Sequence, residues 1–178
     1  MTDRRSGPIF SVRRRPGNPS QGLLNVGGTV FRCALGKGGV TWRKREGDGA
    51  TPLASMRVLG GYFRADGCVT RRSGLALAPI DGRLGWCDAS GDRNYNRPIR
   101  LPYKASHETM RRKDHLYDIC VVLDWNIAPR RRGGGSAIFL HLARPGYLPT
   151  EGCVALSPRD MGRLLPLLSR RAVLKVVG

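Results

Sequence analysis

Two residue types able to do nucleophilic chemistry stand close together in this chain. His141 ends an apolar run, Ala137-Ile138-Phe139-Leu140, and Cys153 follows it after 11 intervening residues. The run has the β-forming character of a buried strand, which would hold an imidazole rigidly. Arg144-Pro145-Gly146 and Leu148-Pro149-Thr150 then break regular structure, and Gly152 permits a sharp turn just before the cysteine. A thiol attacks as its thiolate, and an adjacent imidazole creates that thiolate by taking the proton, so an ion pair between Cys153 and His141 is expected. The same turn aims the backbone N–H groups of Gly152 and Cys153 at a developing oxyanion. Residue type alone argues less, because an isolated cysteine is most often a small buried hydrophobe and a strand histidine a core residue.

The arrangement resembles the signature of the L,D-transpeptidase family: a His, a spacer, then Ser or Thr, any residue, Gly and Cys. His141, Thr150, Gly152 and Cys153 match it in order. Weaker similarity extends to the turn at Gly47-Asp48-Gly49-Ala50-Thr51-Pro52, to Gly85-Trp86-Cys87-Asp88, to Asn94-Tyr95-Asn96-Arg97-Pro98, and to residues 117–126, which look like a short, compact branch of that family. The resemblance implies a cysteine acyltransferase acting on peptidoglycan stem peptides, with Cys153 as nucleophile, His141 as base, no metal and no cofactor. Thr150, Tyr147 and Trp86 are the candidate substrate-binding residues. If water replaces the amine acceptor, the same chemistry gives an L,D-carboxypeptidase.

Three departures from the family pattern stand out. The spacer between His141 and Cys153 is short, which implies a shorter loop over the site and a more open acceptor side. Glu151 occupies a position that is often His or basic, and since an inward carboxylate would raise the thiol pKa, it is expected to face solvent. Val154-Ala155 stands where many members carry an apolar residue and then Arg or Asn.

The supporting elements follow from pattern. Residues 9–13 read as a short edge strand within a basic N-terminal segment, 1–21; the catalytic domain is taken as 22–178. Residues 22–26 and 29–35 read as two strands joined by the Gly27-Gly28 turn. Thr51-Pro52 leads into a half-buried strand over residues 53–64, and residues 66–103 read mostly as turns. In that loop-rich stretch Trp86 and Tyr95, among arginines, either line a groove or cap the core. Residues 106–112 suggest a short helix, residues 117–125 a strand buried on both faces, and residues 172–177 a closing strand. Ser157-Pro158-Arg159-Asp160 is a strong helix start, and Pro166 is expected to bend that helix or end it early. The class is mainly β: a curled sheet or barrel-like sandwich with one helix after the nucleophile.

Composition narrows the alternatives. With 31 basic against 13 acidic residues, a net charge of +18 favours polyanionic partners. The cations are dispersed, with short runs only at Arg13-Arg14-Arg15 and Arg130-Arg131-Arg132, and no helix-turn-helix or zinc-finger pattern accompanies them, so a nucleic-acid-binding module is the weaker reading. Cysteines at 33, 68, 87, 120 and 153 have neither disulfide-framework nor zinc-site spacing. The N-terminal segment lacks an apolar run of signal-peptide length, and no stretch reaches transmembrane length. The sequence alone therefore leads one to expect a cytoplasmic location, against the periplasm or cell wall that the resemblance implies. Oligomeric state is not encoded in any motif.

Overall fold

The computed structural model describes residues 7–66 and 73–178; Cys68 lies outside the described residues. In chain order the strands are β1 (Ile9–Arg15), β2 (Asn18–Val26), β3 (Thr29–Ala34), β4 (Val40–Thr41), β5 (Thr51–Pro52), β6 (Ser55–Phe63), β7 (Leu77–Pro79), β8 (Leu84–Cys87), β9 (Arg97–Arg100), β10 (His107–Thr109), β11 (Ile119–Leu123), β12 (Phe139–Leu142) and β13 (Val154–Leu156), then helix α1 (Pro158–Leu164) and β14 (Val173–Val177).

The large sheet runs β11-β12-β13-β3-β2-β1-β14-β6-β7, and a further pairing of β11 with β6 closes it into a barrel-like ring with β7 appended. Closure removes the free edges that an open sheet would expose. A three-stranded sheet, β10-β8-β9, and the β4–β5 pair lie outside the ring.

Side-chain alternation along β11, β12 and β13 builds two cores from the same strands. Ile119, Val121, Leu123, Leu140, Val154 and Leu156 join the main cluster with Phe10, Leu24, Met56 and the α1 residues Met161 and Leu164. Cys120, Val122, Phe139 and Cys153 belong to a second cluster with Trp86, Met110 and Tyr117. The strand expected over residues 117–125 is thus buried on both faces, as every residue of β11 shows. Capping of α1 also follows its sequence: the Ser157 hydroxyl accepts from the Asp160 N–H, Pro158 opens the helix, and a 3-10 turn at Leu165–Leu167 follows it.

Three expectations are corrected. The N-terminal strand is not at an edge: β1 lies between β2 and β14, pairing parallel with the latter from Ile9↔Val173 to Arg13↔Val177. The segment 106–112 is not helical, because His107–Thr109 pair antiparallel with Gly85–Cys87 and tertiary pairing outweighs a weak local helix preference. The segment 66–103 is less irregular than its turn residues suggest, since β7, β8 and β9 lie within it.

Candidate active site

His141 lies on β12, and Cys153 immediately precedes β13, the parallel neighbour of β12. β12 and β13 are paired Leu140↔Val154 and His141↔Ala155, so Cys153, one residue before β13, stands level with Phe139. By the period of two, Phe139, His141, Cys153 and Ala155 share the face turned away from the barrel interior. There His141, Cys153 and Ala155 line one cleft of roughly 260 Å³. Thr150, Glu151, Ser136, Ala137, Tyr117, Arg144, Lys44 and the carboxylates of Glu46, Asp88 and Glu108 line it as well.

The imidazole is fixed by its own strand. Nδ1 of His141 lies 2.8 Å from the Leu142 carbonyl oxygen. A carbonyl only accepts, so Nδ1 carries the proton and Nε2 is left as the basic atom. The Tyr117 ring packs edge-on against the imidazole at 5.1 Å between centroids. A backbone carbonyl thus orients the imidazole.

The thiol is held from two sides. Cys153 Sγ donates to the Ala137 carbonyl at 3.1 Å and accepts from the Phe139 N–H at 3.3 Å. Among the described residues no hydrogen bond joins the thiol to the imidazole. Burial pushes the Cys153 thiol up to about 12, with the Glu108 carboxylate adding to the rise. Burial likewise depresses His141 to about 4, opposed by its bond to Leu142. In place of the expected ion pair, the resting residues are a neutral thiol and a neutral imidazole, because each is desolvated and neither has a charged partner at contact distance.

The turn before the nucleophile is built by Thr150. Its hydroxyl donates to the Cys153 carbonyl at 2.7 Å and accepts from the Gly152 N–H at 3.2 Å. Its backbone bridges to the end of β3, with Thr150 N–H on the Leu35 carbonyl and Lys37 N–H on the Thr150 carbonyl. Gly152 has φ 135°, and a Cβ there would stand 2.9 Å from the Ala50 carbonyl oxygen, so only glycine fits. Thr150 therefore shapes the nucleophile turn, and the Gly152 N–H is engaged within that turn rather than free to meet an oxyanion. Glu151 points outward, with a side chain 74% exposed and paired with Lys37 at 2.8 Å.

Two candidates fall outside the cleft. Trp86 is buried, donates its indole N–H to Asn96 Oδ1 at 3.0 Å and packs edge-on against Phe139 at 5.1 Å, so of its two readings it caps the core. Tyr147 lies on the outer loop with the Arg32 guanidinium over its ring at 4.7 Å. Sequence reasoning missed Asn96. Its side-chain oxygen also accepts from the Ala137 N–H at 3.0 Å and its amide donates to the Trp125 carbonyl at 3.1 Å, so it fixes the residue whose carbonyl holds the thiol. Asn96 itself stands at φ 56°, in the left-handed region that asparagine tolerates.

No helix among the described residues is long and apolar enough to cross a membrane. The L,D-transpeptidase catalytic domain model matches residues 18–177. A search of curated proteins finds no match. Two solved structures are similar to the chain: the crystal structure of Mycobacterium tuberculosis L,D-transpeptidase 1, at 14% identity and TM-score 0.43, and the LD transpeptidase LdtMt1 in complex with imipenem, at 13% and 0.45. The matches cover 97% of this chain but 62% and 59% of those chains, so this chain spans about three fifths of their length. With about nine tenths of its residues inside the family model, the chain belongs to the L,D-transpeptidase catalytic domain family.

Proposed function

We propose that this protein is a cysteine acyltransferase that opens peptidoglycan stem tetrapeptides. The observation that supports this reading is the placement of Cys153, just before β13, and of His141, on the adjacent β12, in one cleft, with His141 Nδ1–H locked on the Leu142 carbonyl so that Nε2 is the base. Substrate binding displaces water and brings the scissile carbonyl of the third-position diamino acid to the thiol. The thiol proton leaves its hydrogen bond to the Ala137 carbonyl and passes from Sγ to His141 Nε2 as Sγ attacks, so charge appears only as the reaction proceeds. The Cys153 N–H serves the oxyanion, a contribution of about 3–4 kcal/mol where such a donor is well aligned. His141 returns the proton to the departing D-alanine amine, leaving a thioester on Cys153. An amine resolves it into a cross-link, or water into a tripeptide.

Incubation of the protein with a stem tetrapeptide, followed by intact-mass measurement, tests this. The expected result is an adduct of the tetrapeptide less D-alanine that is absent from Cys153→Ala. Released D-alanine from Cys153→Ala would refute the assignment.

A further inference from the structure

The cleft holds an acidic wall that the acyl-transfer chemistry leaves without a task. Glu46, Asp88 and Glu108 line it with Cys153 and His141, in a chain whose net charge is +18. Glu46 and Glu108 each take one phenolic hydroxyl, from Tyr95 and Tyr117 respectively. Neither tyrosine brings positive charge. The two cations on the same side are committed elsewhere: Lys44 Nζ to Asp48 at 2.5 Å, and Arg112 to Asp114 through two bonds of 2.8 and 2.6 Å. Arg144 is the other cation of the lining. Burial raises the carboxyl of Glu108 first; the Tyr117 hydroxyl and the Arg112 charge oppose that rise, and Asp88 and Glu46 add to it.

A second observation points to a ligand. Ser136, only 7% exposed, lines the same cleft, and its Oγ has no hydrogen-bond partner among the described residues. The Tyr95 hydroxyl stands nearby but donates its hydrogen bond to Glu46. Asp88 Oδ1, also buried, has no partner either. Unpaired buried oxygens are costly and rare, and these two face a shared cleft. Both accept hydrogen bonds, and the carboxylates around them set the sign of what they accept from.

Resting on the acyl-transfer reading, we infer that Asp88, Glu46, Glu108 and Ser136 form a subsite for a primary ammonium group of the bound peptide. A –NH3+ group brings three N–H donors and one positive charge, matching several acceptors on an acidic wall. The ammonium has two sources: the side chain of the diamino acid in the acyl donor, or the amine of the acceptor. The site gives this enzyme its selectivity for peptides with a free amine beside the reacting carbonyl.

The test uses two tetrapeptides with lysine or Nε-acetyl-lysine at the third position. Their binding to Cys153→Ala is measured by calorimetry and their acylation of the Cys153-containing protein by mass spectrometry. A donor site predicts that the free amine binds about tenfold or more tighter, and that Asp88→Asn and Glu108→Gln each reduce the difference toward parity. An acceptor site predicts equal donor binding, with the same substitutions lowering transfer to an added amine relative to hydrolysis. Unchanged donor preference and unchanged partition in both variants would overturn the subsite while acylation of Cys153 keeps the reaction standing. Absence of any thioester with either peptide would count against the reaction itself, and absence of binding by both would overturn the two together.

Discussion

Ala137 holds the thiol of Cys153 through its carbonyl, 3.1 Å from Sγ, while its own backbone sits at φ 51°. A non-glycine residue in the left-handed region persists where its surroundings fix it. Here the Ala137 N–H is bound to Asn96 Oδ1, which also takes the Trp86 indole N–H. The nucleophile's resting position is therefore set from Asn96, 57 positions earlier in the chain.

Asn96→Ala leaves two buried N–H donors without an acceptor, and the expected loss of stability is about 3 kcal/mol. Chemical denaturation measures it. Ala137 should then relax from its left-handed conformation, and thioester formation should slow more than binding weakens. A variant with unaltered stability would show that the Asn96 bonds do not hold the Ala137 turn.

The neutral resting pair makes a specific claim about Cys153 alkylation. With the thiol pushed up to about 12, iodoacetamide should label it slowly near neutral pH. Its rate should rise about tenfold per pH unit through the alkaline range, following the thiolate fraction. An ion pair would instead give a rate flat across that range. Cys33 is also raised to about 12, burial pushes Cys120 well above the ordinary thiol range, and neither lines the cleft, so Cys153 should still be the first of these three to react. Peptide mapping across pH separates the two pictures.

The strand bearing His141 and the turn before Cys153 were legible because β-forming runs and breakers are local signals. The helix start at Ser157 was legible for the same reason. The closed ring was less so: the parallel pairing of β1 with β14 joins opposite ends of the chain and leaves no local trace. The β10 strand was hidden because its three residues, His107–Thr109, have no apolar alternation and are fixed by pairing with β8. The ionisation of the pair was misjudged because burial is a tertiary property; spacing shows that a thiol and an imidazole are near, not that both are desolvated.

Burial of His141 also couples its protonation to folding. Its pKa is lowered from 6.5 to about 4, so between those values the unfolded chain binds the proton and the folded one does not. Stability is thus complete above about pH 6.5 and falls as the pH drops toward about 4, by on the order of 3 kcal/mol for this group. Thermal unfolding of the protein and of His141→Gln across that window isolates the effect. The difference in melting temperature between the two should shift steadily with pH; a constant difference would mean that His141 is not held neutral.

Two carboxylates near the nucleophile should behave oppositely. Glu151 is exposed and paired with Lys37, so Glu151→Gln is expected to leave the alkylation profile of Cys153 in place. Glu108 raises the thiol pKa through space, so Glu108→Gln should move that profile to lower pH. A shift in the Glu151 variant of about one unit or more would place that carboxylate against the thiol.

Thr150 should matter through geometry rather than substrate contact. Its hydroxyl spans the turn from the Gly152 N–H to the Cys153 carbonyl, and its backbone ties the turn to Leu35 and Lys37. Thr150→Val keeps the shape but removes the hydroxyl, leaving a buried donor and a buried acceptor unpaired, with an expected loss of about 2–4 kcal/mol. It also releases the strut beneath Cys153, so the rate of thioester formation should fall while peptide affinity for the corresponding Cys153→Ala background stays close to its original value. Thr150→Ser restores the hydroxyl and should recover most of both stability and rate. A loss of affinity equal to the loss of rate in Thr150→Val, with no recovery in Thr150→Ser, would instead mean that the threonine methyl group contacts the peptide and that the turn stands without its hydroxyl.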